Sequence, residues 1–357
     1  MATATAAQLL AWFDENGRDL PWRHTRDPYR IWISEIMLQQ TRVETVIPYY
    51  QRWLLSFPTL ASLAGAQIED VLRHWEGLGY YRRAHNLHRT TVLLMDQYAG
   101  QFPRQARELE KLPGLGRYTA AALAALAFDQ PEVALDGNLR RVIARLTDLE
   151  LDARRAAGER KLRAWAEEHM PEKQAAAFNQ ALMDLGAMVC LPRAPRCSIC
   201  PLAGTCLSRA RGTTDERPVR AARDSIPSYQ AAAGVMRRGD SVLIGRRPEG
   251  KLLGGLWEFP GGKREPEENL QECLRRELLE ELQIEVEVGS ELGAFDHSYS
   301  HFHVSVHAFE TRILAGQPKQ LEHSDLRWVE IERLGEFPMG KVDRAIAERL
   351  ASPDYAA

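Results

Sequence analysis

From Ala6 to about Ala210, apolar residues recur at three- and four-residue spacing with Pro and Gly as punctuation, a rhythm that predicts helix after helix and scarcely a strand. Asp27-Pro28 reads as a helix start, Asp as the cap and Pro in the first turn, followed by YRIWISEIMLQQ. The run RYTAAALAALAF at 117–128 is almost uncharged, which predicts a helix buried on every side. After Pro227 the text changes to short β-rich runs: 241–244, 284–288 and 302–309 read as strands, with one helix over 270–282. Between the two grammars, RGTTDERPVRAARDSIP at 211–227 carries charge and Pro without an apolar period. It reads as a linker. The expected organisation is a mainly α domain over 1–210, the linker 211–227, and an α+β domain over 228–357.

Composition narrows the class without naming it. The 357 residues are 45% apolar and 27% charged, the balance of an ordinary soluble protein. No stretch approaches the roughly 18 apolar residues of a spanning helix, and the opening MATATAAQLLAWFDENGRDL lacks a basic leader, so a cytoplasmic protein with no membrane partner is expected. The net charge of -3 hides an asymmetry: residues 1–210 hold 26 Lys and Arg against 23 Asp and Glu, residues 225–357 hold 16 against 23. Neither region resembles a basic nucleic-acid coat. Any DNA contact must come from local arginines and backbone amides.

Four of the five cysteines, Cys190, Cys197, Cys200 and Cys206, fall in one stretch with the spacing C-x6-C-x2-C-x5-C. Such clustering says ligand set, and four thiolates without a His suit a [4Fe-4S] cluster or a structural zinc. Zinc sites more often use two short pairs; here there is one. Arg193 and Arg196 inside the first loop read either as phosphate contacts or as solvated charges. Cys273 stands alone and reads as a packing residue.

Three further features carry candidate chemistry. In LPGLGRYT, 112–119, Gly114 and Gly116 permit positive φ and close approach, so the following helix N-terminus is either a phosphate seat or a plain helix–helix turn. Glu35 is the only charge in IWISEIML, so a helix would hold it against apolar neighbours. Burial raises a carboxyl pKa and suits a general acid, though a satisfied buried acid reads the same way. Asp136 in VALDGNLRR reads first as the N-cap of a helix starting near Asn138.

Taken together, LPWR (20–23), WISEIMLQQTRVETVIPYY (32–50), WEGLGYYRRAHNLH (75–88), LPGLGRYTA (112–120), LDGN (135–138) and the four-Cys loop resemble the helix-hairpin-helix, iron–sulfur DNA glycosylases, and most closely their A/G-mismatch adenine glycosylase family. The resemblance implies a helix-hairpin-helix glycosylase domain with a [4Fe-4S] loop at 190–206, joined to a Nudix-like domain. It implies excision of adenine mispaired with 8-oxoguanine or guanine in double-stranded DNA, by a chain that works as a monomer. Matched residue by residue, Glu35 is the proton donor, Asp136 faces the sugar and Asn138 orients Asp136. Gln40 and Tyr80 reach into the base stack. Tyr118 stands where strand-cutting relatives place a Lys, and a phenol cannot form a Schiff base, so the expected activity is base excision without strong lyase action.

The second domain carries its own resemblance. GGLWEFPGGKREPEENLQECLRRELLEELQI, 254–284, is similar to the Nudix box: Gly262, Glu268, Arg276, Glu277, Leu278, Glu280, Glu281 and Ile284 match, and Gln283 replaces the final Gly. Glu277, Glu280 and Glu281 on one helix are the expected carboxylates for Mg2+, should the domain retain nucleotide pyrophosphohydrolase activity. The competing expectation is an inherited scaffold that recognises 8-oxoguanine, with Tyr299, Ser300 and His301 in HSYSHFH (297–303) as its reader. That stretch also reads as a plain β-hairpin turn. A strand-cutting glycosylase, a nucleotide-pool hydrolase and a non-enzymatic iron–sulfur DNA sensor are the rival classes, and the last requires that Glu35 and Asp136 do not share a pocket.

Overall fold

The computed structural model of the chain describes residues 2–219, 226–299 and 301–352. They fall into two compact units. One contains residues 1–65 and 86–223, the other 66–85 and 224–357. Among the described residues no helix is long and apolar enough to cross a membrane.

The first unit is helical, as its apolar spacing predicts. The helix Pro28–Leu38 starts where Asp27-Pro28 places it: the Asp27 carboxylate accepts the Tyr29 amide at 2.9 Å. Ile31 through Met37 are all buried, Glu35 among them. This helix packs on Arg117–Phe128, whose residues Thr119 to Leu126 are likewise buried without a break. Alanine at five of those positions keeps the surface of the helix low, so the neighbouring backbones approach closely. Ala175–Asp184 packs against both Ala2–Asn16 and Arg117–Phe128.

A buried ion cluster ties the start of this unit to its far end. Asp184 is fully buried and accepts the Arg18 amide at 2.8 Å, Arg18 Nε at 2.7 Å and both terminal nitrogens of Arg23 at 2.7 and 2.8 Å. Burial opposes its charge, yet the hydrogen bonds from Arg23 and Arg18 outweigh it and hold the carboxyl below the ordinary Asp range. A second buried acid, Asp148, gathers Thr213 at 2.6 Å, Arg211 at 2.9 Å and Arg217 at 2.9 Å. Arg145 adds hydrogen bonds to the Thr214 and Arg217 carbonyls. Residues 213–217, in the stretch expected as a linker, are therefore fastened to the first unit by charge rather than by apolar burial. Residues 220–225 of that stretch lie outside the described residues.

The second unit is a mixed sheet between two helices. Its strands are β1 (Ser228–Arg238), β2 (Ser241–Arg246), β3 (Trp257–Glu258), β4 (Gly261–Lys263), β5 (Glu285–Ser298), β6 (His303–Ala315) and β7 (Asp325–Glu330). β1 runs parallel to β6 from Ser228↔His303 to Met236↔Thr311; β5 pairs antiparallel with β6, β4 and β2 with β1, and β3 and β7 with β2. The helix Leu270–Leu282 buries Cys273, Leu274, Leu278 and Leu282 against Ala232, Met236 and Phe309 on one face. Lys341–Leu350 buries Val342, Ile346 and Leu350 with Trp257, Phe259 and Ile244 on the other. Asn269 and Glu272 form a capping box at the start of the first of these helices. Gln283 ends it at φ 53°, a left-handed position where glycine would be about 1 kcal/mol easier.

Residues 66–85 group with this second unit, although their position in the chain places them inside the expected helical domain. The reason is polar. Glu69 pairs with Arg246 at 2.7 Å, Glu76 with Arg344 at 2.6 Å, Tyr81 donates to the Met339 carbonyl at 3.2 Å, and His85 Nε2 lies 2.8 Å from the Gly254 carbonyl.

The Asp184 cluster supplies a stability test. Asp184→Asn leaves two arginines facing a neutral amide, and a loss of about 3–5 kcal/mol at pH 7 is expected for breaking a buried pair. Because the folded pKa is depressed, the contribution is complete above the ordinary Asp value near 3.9 and disappears as pH falls through the lower folded value. Urea denaturation of both proteins at pH 7 and pH 3 checks this; a difference that stays constant with pH contradicts it.

Candidate active site and nucleic-acid interface

Glu35 owes its character to where its helix is placed. It is 4% exposed, and the surrounding apolar packing pushes its carboxyl up to about 7. The Tyr118 hydroxyl donates to Glu35 Oε2 at 2.8 Å and pulls in the opposite direction, as does the charge of Arg23. The negative charge of Asp136 raises it further.

Asp136 does serve as an N-cap: its Oδ1 accepts the Leu139 amide at 2.7 Å at the head of the helix Gly137–Leu146. Burial raises its pKa too, against the amides of Leu139 and Asn138 and the charges of Arg141 and Arg140. The capping reading of Asp136 is compatible with a catalytic one: the cap fixes its side chain at the helix head.

Asn138 accepts from Arg141 Nη2 at 2.9 Å, and the same guanidinium donates to the Gly186 carbonyl at 2.8 Å and the Cys190 carbonyl at 2.8 Å. Gly186 lies in a π-helical turn, Leu185–Val189, and a Cβ there would stand 2.7 Å from the Asn138 Cβ. Only glycine lets this turn close on Asn138. Sequence reasoning missed Arg141 and Arg145, both buried, although their i,i+4 spacing on the apolar face of GNLRRVIARL was a signal for buried guanidinium groups.

The hairpin joins Ala106–Leu109 to Arg117–Phe128. Gly114 sits at φ 77°, and a Cβ there would meet the Asn86 Cβ at 2.6 Å; Thr90 Oγ1 anchors the Pro113 carbonyl at 2.7 Å. Gly116, at the helix N-cap, is exposed with open space around it, which leaves the first amides of a twelve-residue helix facing outward. Gln39 Nε2 donates to Thr119 Oγ1 at 3.0 Å, tying the end of the Glu35 helix to the residue after Tyr118. Gln40 follows, exposed, at φ 59°. Tyr80 belongs to the second unit; it is 41% exposed at φ 49°, with the Arg83 guanidinium 5.5 Å from its ring centre.

The four thiols line one apolar hollow with Val142, Leu146, Leu185 and Val189. Arg145 places Nη1 3.3 Å from Cys190 Sγ and gives hydrogen bonds to the Leu191 and Pro192 carbonyls. Burial pushes Cys200 up to about 11 and raises Cys206, and the neighbouring thiols add to both shifts. Among the described residues no three His, Cys, Asp or Glu side chains gather closely enough to hold a single ion. A single zinc requires four ligands about 2.0–2.3 Å from one point, whereas an iron–sulfur cluster takes each thiolate at a different iron.

In the second unit the Nudix acids share one arginine: Arg276 binds Glu268 at 2.6 Å, Glu277 at 3.0 Å and Glu280 at 3.3 Å. That contact drives Glu268 down to about 2, while burial pushes Glu281 up to about 7, with the charges of Glu258 and Glu277 adding to the rise. The turn at 299–302 closes β5 on β6: Tyr299 stacks near Phe302 at 4.7 Å and edge-on to His297 at 4.5 Å, and His301 is exposed. Ser300 lies outside the described residues.

Comparison with known proteins agrees with this division. The profile of the HhH-GPD superfamily of base excision DNA repair proteins matches residues 33–168, and that of the NUDIX domain matches 231–349. Among solved structures, a thermostable thymine-DNA glycosylase superposes with a TM-score of 0.54 at 29% identity, covering 59% of this chain and 97% of that one. An endonuclease III trapped with DNA superposes at 0.50 with 23% identity over 58% of this chain and 95% of that one, a likeness of fold. The adenine DNA glycosylase of Homo sapiens is 36% identical over 78% of this chain and 60% of its own length; the present chain spans less than two thirds of the mammalian relatives it matches. That of Buchnera aphidicola from Acyrthosiphon pisum is 32% identical over 85% of both. A glycosylase fold with a buried Glu35 hydrogen-bonded by Tyr118, a NUDIX domain after it, and relatives of one name along most of the chain place this protein in the adenine DNA glycosylase family.

Proposed function

We propose that the chain is a monofunctional adenine DNA glycosylase that excises adenine mispaired with 8-oxoguanine or guanine in duplex DNA, acting as a monomer. The observation that carries the reading is the buried Glu35 carboxyl near neutrality beside the charge of Asp136. An adenine inside a duplex is out of reach, so it is first turned out of the stack. Glu35 then gives its proton to N7 of the base, making adenine a neutral leaving group. As the glycosidic bond lengthens, positive charge develops on the sugar and the Asp136 carboxylate stabilises it. Water then bonds to C1′ through its oxygen and gives up a proton, which restores the Glu35 carboxylic acid, and adenine and the abasic site leave. Asn138, held by Arg141, fixes the amide and side chain next to Asp136.

The remaining contacts follow from exposure and backbone shape. Gln40 and Tyr80 enter the stack vacated by the base, and the amides after Gly114 and Gly116 take a phosphate. Ser300 and the exposed His301 read the 8-oxoguanine. Cys190, Cys197, Cys200 and Cys206 hold a [4Fe-4S] cluster; the apolar hollow and the Arg145 guanidinium fit such a group. Those four thiolates would cross-link the 190–206 loop within itself, while Arg141 and Arg145 tie that loop to the helix Gly137–Leu146. Arg145 offsets part of the thiolate charge there.

Glu35→Gln is expected to lower single-turnover adenine release from an 8-oxoguanine:adenine duplex by about 10²–10⁴-fold with affinity nearly intact; unchanged turnover removes the acid role. In the native enzyme the rate should fall as pH rises through about 7, where Glu35 loses its proton. The same raised pKa means that Glu35 favours folding below its unfolded value and that this benefit is lost as pH climbs through the folded value. Glu35→Gln should therefore gain thermal stability relative to the native chain between pH 5 and pH 8.

Tyr118→Lys puts an amine near the sugar. A borohydride-trapped enzyme–DNA adduct is the expected result, formed when the amine condenses with the opened C1′ aldehyde and water is lost. No adduct would show that residue 118 does not reach the sugar.

Replacing Ser300 and His301 together with Ala should reduce the preference for 8-oxoguanine:adenine over guanine:adenine by about tenfold, within the range of one lost base contact. An unaltered ratio of the two excision rates overturns the reader assignment.

A further inference from the structure

The loop that carries Tyr80 cannot hold its own shape. Three of its residues occupy the left-handed region: Gly77 at φ 94°, Gly79 at φ 71° and Tyr80 itself at φ 49°. For a tyrosine that conformation costs roughly 1–2 kcal/mol, and it persists only where surrounding contacts over-determine it. Part of the support is local. Trp75 Nε1 donates to the Gly79 carbonyl at 3.0 Å, and Arg83 donates to the Leu78 and Gly79 carbonyls at 2.9 Å each.

The rest comes from residues more than 250 positions away in the chain. Arg344 clasps the Glu76 carboxylate with both arms, Nε to Oε1 at 2.6 Å and Nη2 to Oε2 at 3.1 Å. Two further donors go to the Leu334 carbonyl at 3.0 Å and the Phe337 carbonyl at 2.6 Å, so the guanidinium cannot swing away without losing four hydrogen bonds. Tyr81, the residue after Tyr80 and 6% exposed, is pinned by its hydroxyl to the Met339 carbonyl. The loop is thus gripped at Glu76 and at Tyr81, on either side of its left-handed segment, by the stretch leading into and starting the helix Lys341–Leu350.

We propose that Arg344 is a positioning residue: through Glu76 it fixes the backbone of Tyr80, so the second unit sets how well a mispair is distinguished from a normal pair. The inference rests on the reading of Tyr80 as the residue that enters the DNA stack. Arg344 touches neither substrate nor Glu35. Its loss should act on binding and discrimination rather than on the bond-breaking step.

The test is a double-mutant cycle in the full-length protein, read as Kd for a duplex whose mispaired adenosine carries a 2′-fluorine that prevents excision. Arg344→Met is expected to weaken mispair binding about tenfold while the single-turnover rate at saturating enzyme stays within twofold on the ordinary substrate. Tyr80→Ala should weaken binding comparably, and the double variant no further than Tyr80→Ala alone. Arg344→Lys, which keeps the charge but loses the two-armed grip, should fall between, and Glu76→Gln breaks the same contact from the other side should Arg344→Met fold poorly. Additive losses in the double variant, or Arg344→Met and Glu76→Gln both binding like the native chain while Tyr80→Ala is impaired, overturn the positioning role alone. Normal binding by Tyr80→Ala overturns the DNA reading of Tyr80 and this inference with it.

Discussion

Burying the Glu35 carboxyl between closely packed helices is the constraint on which the site turns. An ionised carboxylate there would lose its water with little to replace it, so the group takes a proton at a pH where ordinary glutamates have none. Every neighbour modulates that cost. Tyr118 returns one hydrogen bond, the charge of Arg23, itself attached to Asp184, lowers the cost, and the charge of Asp136 raises it. Alanine along 119–125 makes the burial achievable, since larger residues would force the two helices apart and let water in.

The second carboxylate is placed by a different device. Asp136 is oriented by the helix it caps, and that helix is in turn fastened at Arg141 to the π-helical turn and to the Cys190 carbonyl. A chain of hydrogen bonds through buried groups is costly to break at any member, because each loss leaves another group unpaired. Asp136, Asn138, Arg141, Gly186 and Cys190 therefore move together or not at all. The thiol loop lies about fifty residues from Asp136 in the chain, yet its geometry enters the site through one guanidinium.

What could be read in advance follows from the range of the interactions. Asp27-Pro28 and the uncharged run at 117–128 were legible because capping and burial are written within one or two turns of helix. Glu35 and Asp136 stood out for the same reason, each being a polar residue in an apolar or capping context. Arg141 was harder: its partners at 186 and 190 are distant, and only its place on an apolar helical face hinted at burial. The allocation of 66–85 to the second unit had no local signal at all, since Glu69, Glu76, Tyr81 and His85 look like ordinary surface residues until Arg246, Arg344, Met339 and Gly254 are beside them. The i,i+4 spacing of the Nudix acids was legible, but not that Arg276 on the same helix pairs with Glu277 and Glu280.

The modest net charge of -3 gives the last step of this reasoning. A protein that grips DNA by bulk charge can tolerate loosely ordered contacts, because each lysine acts as a point charge. This chain has no such reserve, so its affinity must come from a few contacts held in advance, and each one ordered before binding avoids an entropic cost on complex formation. Gln40 and Tyr80 suit that requirement: both are exposed and both sit in left-handed backbone, in loops fixed by Gln39–Thr119 on one side and by Trp75 and Arg83 on the other. A residue held in a costly conformation before DNA arrives has already given up the freedom that insertion would take from it. On the proposed reading of Gln40 and Tyr80 as residues that enter the stack, their left-handed backbone supplies in advance the order that a bulk positive surface would not.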